Sequence, residues 1–357
     1  MEKIRVLVVD DSPLTRRLLK TLLESDPNIE VAGFARDGFE AVKTAKALHP
    51  DVITLDVIMP EKNGLEALKE IVDEAIAPVI MVSVVTQENS QEALEALEIG
   101  AFDYVPKPDS NTIATLMNIR TPLISKVKSA AQYSKSTALL RLLKTESPKR
   151  KIKAKPALGS EVLPTEFYAI AIGISTGGPK NIYDVLPQLP ADLNAAVFLV
   201  QHMPPSFTQS YAERLNKYCQ LRVVEAQENL PIKPGTVYVG KGGYHLKLRK
   251  LNDSQYAIHL SKVPKHTFMP SVDIMMDAVL EIFGNKTIGV LMTGMGDDGA
   301  RAMVRINKTG GYTIAESKET AVVFGMPQEA IKLGGARTVL PSHKIAEEIV
   351  KKVGQIP

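Results

Sequence analysis

Short β-branched runs alternate with amphipathic stretches along this chain, and they do so twice, on either side of one segment that lacks the pattern. Such alternation is the signature of βαβ units, which build a parallel sheet with helices on its faces. The first series predicts strands at Ile4 to Val9, Glu30 to Ala35, Asp51 to Leu55, Pro78 to Val84 and Asp103 to Val105, with helices near Thr15 to Leu23, Gly38 to Leu48, Gly64 to Glu74 and Gln91 to Leu97. Ser12-Pro13 opens the first helix with an N-cap and a proline at its first position. The second series predicts strands at Tyr168 to Ile174, Ala195 to Gln201, Arg222 to Ala226 and Thr287 to Met292. Its helices fall near Lys180 to Leu186, Phe207 to Lys217, Val272 to Phe283, Gly299 to Lys308 and His343 to Val353. Within it Thr236 to Ser261, with turns at Gly242-Gly243 and Asp253, reads as inserted antiparallel strands. The expectation is a five-stranded parallel sheet followed by a doubly wound, mostly parallel α/β domain with a small antiparallel insertion.

A length of 357 residues makes two domains the natural prior. Between Arg141 and Lys155 stand seven Lys/Arg residues against one acid, Glu146, with Pro148 and Pro156 nearby. That composition is a solvated connector. We therefore divide the chain into a domain at 1–124, a basic linker at 125–160 and a domain at 161–357, the linker beginning with a helix from Arg120 to Leu143. A net charge of +3 is too small to imply much, while the absence of Trp and the scarcity of aromatics argue against a stacking surface for nucleic-acid bases. The single cysteine, Cys219, excludes an intrachain disulfide and reads as a small buried hydrophobe. No apolar run approaches membrane-spanning length and Met1-Glu2-Lys3 has no signal-peptide layout, so a cytoplasmic protein without membrane insertion is expected.

Asp10 and Asp11 follow the first strand and Asp56 the third, so a parallel sheet delivers all three to its carboxyl edge. Three converging carboxylates repel one another unless a hard divalent cation neutralises them, and Mg²⁺ with oxygen ligands suits the charge. Asp56 would be the phosphoryl acceptor. Ser83 and Lys107, after the fourth and fifth strands, supply a hydroxyl and an ammonium for phosphoryl oxygens.

In the second half Gly173-Ile174-Ser175-Thr176-Gly177 fits G-x-S-x-G between a strand and a helix, the context of a nucleophile elbow. His202 follows the next strand, and Asp298 closes Gly294-Met295-Gly296-Asp297-Asp298-Gly299. A serine hydroxyl needs a base, His202, and the imidazolium needs an orienting carboxylate, Asp298. Backbone amides around Met295 and at Ser175 to Thr176 are the candidate oxyanion donors. The order Ser, His, Asp differs from the Ser, Asp, His order of α/β-hydrolases. Residue types alone leave a serine hydrolase beside a phosphate-binding turn.

Ile4 to Thr121, with Met59-Pro60 and Gly64 after the acceptor, resembles the response-regulator receiver domain, a flavodoxin-like fold. The resemblance implies that Asp56 takes phosphate from a histidine kinase, that Asp10 and Asp11 help hold Mg²⁺, and that Ser83, Lys107 and an aromatic at Phe102 or Tyr104 transmit the change. Phe167 to about Val353 resembles the catalytic domain of the CheB chemotaxis methylesterase family. The carrying runs are Ile174-Ser175-Thr176-Gly177-Gly178-Pro179, Gln201-His202-Met203, Pro270-Ser271-Val272-Asp273, Thr293 to Gly299 and Gly325-Met326-Pro327. Implied are hydrolysis of glutamate methyl esters and deamidation of glutamines on chemoreceptor helices, with Ser175, His202 and Asp298 as nucleophile, base and acid and no cofactor for the ester step. Asp297 competes for the last role, but the position before the glycine matches the family. The receiver would restrain the catalytic half until Asp56 is phosphorylated. Met269 and Val239-Gly240-Lys241 depart from the family pattern and touch rim contacts. The rival from another class is a response regulator with a nucleotide- or DNA-binding output half.

Overall fold

A computed structural model describes residues 2–84, 90–108, 117–141, 167–252 and 255–354. The basic run from Lys144 to Lys155 and the turn residue Asp253 lie outside them. The chain forms two compact units, Met1–Pro148 and Lys149–Pro357.

In the first unit β1 (Ile4–Val9), α1 (Pro13–Glu24), β2 (Ile29–Ala35), α2 (Gly38–Leu48), β3 (Val52–Leu55), α3 (Gly64–Asp73), β4 (Val79–Val84), α4 (Ser90–Ile99) and β5 (Asp103–Lys107) alternate as expected. The sheet order is β2-β1-β3-β4-β5, every pairing parallel. Val6 to Val9, Val52 to Leu55 and Val79 to Val82 are buried, because helices cover both faces and leave no side for alternating polar residues. Ser12 caps α1 by accepting from the Thr15 amide, and Asn63 with Glu66 closes a reciprocal capping box on α3.

The next helix, α5 (Arg120–Arg141), runs straight through residue 124, where the sequence reading ended the first domain. Leu123, Val127, Ala130 and Ala131 are buried on it. Lys126 Nζ reaches Asp103 Oδ1 at 2.6 Å, and Lys128 Nζ reaches Asp26 Oδ2 at 2.5 Å. These contacts tie the described start of the expected linker to the first unit. Half of the helix's buried stripe is alanine, which gives little hydrophobic contrast against the intervening Ser and Lys residues.

The second unit begins with β6 (Tyr168–Ile174), a one-turn α6 (Gly178–Asn181), β7 (Ala195–Gln201), α7 (Pro205–Tyr218), β8 (Arg222–Glu225) and β9 (Thr236–Val239). It continues through β10 (His245–Asn252), β11 (Gln255–Ser261), α8 (Val272–Phe283), β12 (Thr287–Leu291) and α9 (Ala300–Lys308). It closes with β13 (Tyr312–Glu316), α10 (Met326–Lys332), β14 (Thr338–Leu340) and α11 (Ser342–Val353). Seven strands pair in the order β14-β13-β12-β6-β7-β9-β8, all parallel, while β10 and β11 form a separate antiparallel hairpin.

Three expectations need correction. Thr236–Val239 is a strand of the main sheet, paired in parallel with both β7 and β8, so the insertion is only the β10–β11 hairpin. The helix expected from Lys180 to Leu186 breaks after Asn181 into two 3₁₀ turns, Ile182–Asp184 and Leu186–Gln188, the second carrying Pro187. The strands β13 and β14 and the helix α10 were not anticipated. From β6 the chain first builds outward through β7, then returns to the other side with β12. The switch of direction therefore lies at the carboxyl ends of β12, β6 and β7, where an open α/β sheet binds its ligand.

Candidate active site

Ser175 stands on the first residue after β6, His202 on the first after β7, and Asp298 in the loop between β12 and α9. Ladder bonds continue past the strand ends: His202 N–H donates to Ile174 O at 3.2 Å and Ser175 N–H to Thr293 O at 2.9 Å. The three side chains meet. His202 Nδ1 lies 3.1 Å from Ser175 Oγ, and Nε2 lies 2.8 Å from Asp298 Oδ2. The ring is thus used in the opposite sense to the trypsin-like triad, where Nε2 faces the serine. Asp298 is buried and contacts His202, whereas Asp297 is exposed.

The turn at Ser175 depends on glycine. Gly177 has φ of +77°, and a Cβ there would sit 2.4 Å from Val322 Cβ. Gln201 supports the same turn from the neighbouring strand, its Nε2 donating to Ser175 O at 3.0 Å. Because the Ser175 amide is spent on Thr293 O, it leaves the set of oxyanion donors suggested by the sequence. Thr176 is the next residue along the chain, and Met295 follows Gly294, whose Cβ, if present, would lie 2.8 Å from Ser175 Cβ.

Asp298 is held by the start of α8. Its Oδ1 accepts from Ser271 Oγ at 2.8 Å and the Asp273 amide at 3.0 Å, and Oδ2 accepts from the Val272 amide at 2.8 Å. Burial alone would raise its pKa, but the hydrogen bond and charge of His202 and the two amides outweigh that and hold it at about 2. The exchange is mutual. The Asp273 carboxylate accepts from the Ala302 amide of α9 at 2.7 Å and from the Gly299 amide. Each helix start therefore receives a carboxylate from the other, complementing its unpaired amides and its dipole. Burial and the nearby Asp298 charge push Asp273 up.

Sequence reasoning missed two supports. Phe268 stacks on the His202 ring, with centroids 4.1 Å apart and planes 5° from parallel. Ser271 was quoted only as part of a motif, although its position as N-cap of α8 is a readable signal.

The carboxyl edge of the first sheet brings Asp10, Asp11 and Asp56 together, with one ligand atom of each within 4.8 Å of the others. Asp10 and Asp56 are buried, Asp11 exposed, and Lys107 Nζ bridges the first two. Burial would lower the Lys107 pKa, but the charges of Asp56 and Asp10 outweigh it and raise it. Ser83 is buried beside them, and its carbonyl accepts from Tyr104 Oη at 2.5 Å. Burial and then the Asp56 charge push Tyr104 upward. Of the two aromatics considered, Tyr104 makes this bond, while Phe102 packs on Tyr133 at 5.5 Å. Gly64 lets α3 start against the Asp56 backbone, since a Cβ there would lie 1.9 Å from Asp56 O.

The family model for CheB methylesterase matches residues 170–349, and that for the response regulator receiver domain matches residues 6–118. A protein-glutamate methylesterase/protein-glutamine glutaminase of Syntrophomonas wolfei is 50% identical over 99% of this chain and 100% of its own length. The chain belongs to the CheB family. The archaeal relative from Pyrococcus abyssi is 42% identical, covering 99% of this chain and 95% of its own. The crystal structure of the Thermotoga maritima CheB methylesterase catalytic domain covers 53% of this chain and all of its own, with a TM-score of 0.51 and 42% identity. This chain joins a response regulator receiver domain to a CheB methylesterase domain.

Proposed function

We propose that this chain removes methyl groups from glutamate esters, and ammonia from glutamines, on chemoreceptor cytoplasmic helices, with Ser175 as nucleophile, His202 as base and Asp298 as orienting acid. The observation that carries the reading is the unbroken relay from Ser175 Oγ through both ring nitrogens of His202 to Asp298. In the first step Ser175 Oγ attacks the ester carbonyl while His202 Nδ1 takes its proton. The negative oxygen is received by amides at Thr176 and Met295. Collapse expels methoxide, which leaves as methanol with the proton from Nδ1, and the glutamyl group stays on Ser175 as an ester. Water, deprotonated by the same nitrogen, then attacks; the Ser175–acyl bond breaks as Ser175 Oγ takes that proton back from Nδ1, and the glutamic acid departs, losing its proton to solvent as the carboxylate. From a glutamine, ammonia is the first leaving group.

Asp298, ionised down to about pH 2, keeps the ring oriented and stabilises its charged form. The clustered carboxylates of Asp10, Asp11 and Asp56 are hard oxygen donors that fit Mg²⁺. Bound there, the ion would neutralise phosphoryl charge during transfer from a histidine kinase to Asp56. Ser83, Lys107 and Tyr104 then sense the phosphate, and the receiver releases its restraint on the catalytic half. The place of action is the cytoplasm. No described helix is long and apolar enough to cross a membrane.

The test is methanol release from methyl-esterified receptor membranes by the parent, Ser175→Ala and Asp56→Asn. Loss in Ser175→Ala, and loss of phosphodonor stimulation alone in Asp56→Asn, are expected. A fully active Ser175→Ala would sink the assignment.

A further inference from the structure

Beneath the nucleophile turn lies a carboxyl group that the proposed steps do not use. Glu316 ends β13 and is fully buried. Its Oε2 accepts from the Thr293 amide at 2.7 Å. Its Oε1 accepts from Asn181 Nδ2 at 2.9 Å and from Thr320 Oγ1 at 2.8 Å. Thr293 in turn holds the nucleophile: its carbonyl accepts the Ser175 amide at 2.9 Å, and its Oγ1 donates to Thr176 O at 2.8 Å while accepting the Val323 amide at 2.9 Å. One residue thus stands between the buried carboxyl and both Ser175 and a candidate oxyanion amide.

We propose that Glu316 is a positioning residue for the ester reaction: its ionised carboxylate locks Thr293, and through Thr293 sets the Ser175–Thr176 turn. The proposal rests on Ser175 being the nucleophile. All three groups facing the carboxyl donate to it, so the anion is the form the pocket is wired to hold, and a carboxylate accepts about twice as strongly as a neutral carbonyl. Protonation leaves the same three donors facing a neutral group, whose oxygens accept more weakly than the anion's. Asn181 cannot simply flip, because its Nδ2 also donates to Thr320 O at 3.0 Å. Thr320 Oγ1 is likewise engaged by the Ser342 amide at 2.8 Å.

Burial, opposed by these hydrogen bonds and assisted by the Asp184 charge, moves Glu316 up to about 7. Asp184 sits on the adjoining 3₁₀ turn and accepts from Ser342 Oγ at 2.6 Å. Lys180 next to Asn181, and Lys318 and Glu319 on the loop after β13, are exposed. The turn therefore tightens as the pH rises through neutrality.

The test uses the full chain and methyl-esterified receptor membranes, with kcat and KM followed from pH 5.5 to 8.5. In the parent, kcat should rise through deprotonation of the His202 base, which remains in every variant, and through a second ionisation near 7 that is absent in Glu316→Gln, whose kcat at pH 8 should be roughly ten-fold lower with KM little changed. Asn181→Ala removes one donor to the anion, so the same limb should move to higher pH. A folded Glu316→Gln with parental kcat and pH profile overturns the proposal. If Glu316→Gln does not fold, an unmoved limb in Asn181→Ala overturns it. Ser175→Ala, assayed alongside, separates the two failures: activity in that variant removes the nucleophile itself, whereas a dead Ser175→Ala beside an unaffected Glu316→Gln removes only the positioning role.

Discussion

Asp298 reaches the nucleophile through His202 and Glu316 through Thr293, and burial works against the ionised form of each. At Asp298 the His202 bond and charge and two amides win; at Glu316 they fall short. The acid stays charged through any working pH, so its titration cannot produce the acidic limb of activity. Replacing it by Asn should lower kcat by about 10⁴, by analogy with the orienting carboxylate of serine proteases, while leaving receptor binding near parental. Steady-state kinetics check both. Glu316 makes the opposite contribution to stability. Its folded pKa stands above the ordinary 4.5, so the native state binds more protons between about 4.5 and 7, and stability falls as pH rises through that window. The linked loss is on the order of 3 kcal/mol. Melting of the parent and Glu316→Gln should therefore converge below pH 5 and diverge, in favour of the variant, by pH 8. Strand-end placement and motif spacing in the sequence point at Ser175, His202 and Asp56, and the family resemblance chooses Asp298 over Asp297. Glu316 was not legible, since only a pairing partner shows which way β13 faces.

At the level of helices, the α8 and α9 starts are joined by an exchange of carboxylates. Asp273→Ala should destabilise the catalytic unit by about 1 to 2 kcal/mol through the lost cap, and Asp273→Asn by much less, since an amide oxygen still accepts. It should also lower kcat, because the Asp273 amide that steadies Asp298 sits in the turn that loosens. Denaturant melts and kinetics on the pair of variants check this. Val272 to Phe283 was readable to the residue from its apolar spacing, and the Ser271 cap that went unused marks the same start. Thr236–Val239 was misplaced because a run of four residues carries no mark of which neighbour it will join. Thr338–Leu340, at three residues, is too short for any period to show.

Over the whole chain, two chemistries sit on separate sheets, each at a carboxyl edge. Chelating divalent metal should abolish phosphorylation of Asp56 but leave unstimulated methanol release unchanged, because the ester site as described uses only side chains and amides. Phosphate incorporation and methanol release, measured with and without chelator, separate the two. Deleting residues before about 160 should raise the basal ester rate; an unchanged or lower rate counts against restraint by the receiver. Two α/β halves were legible from alternation alone. The helix expected from Arg120 to Leu143 was assigned to the linker, and its described part buries Leu123 and Val127, two of the apolar residues that marked it, within the first unit.

The carboxylate exchange between α8 and α9 also constrains how this site can change over generations. An insertion that slides either helix by one residue removes two caps and misaims the acid at once, so neither loop drifts alone. The amide hydrogens of Val272 and Asp273, both donated to Asp298, should accordingly exchange with deuterium more slowly than helix-start amides left to solvent, but faster than those of the central strands. Their exposure would register the loss of the site before any strand had opened.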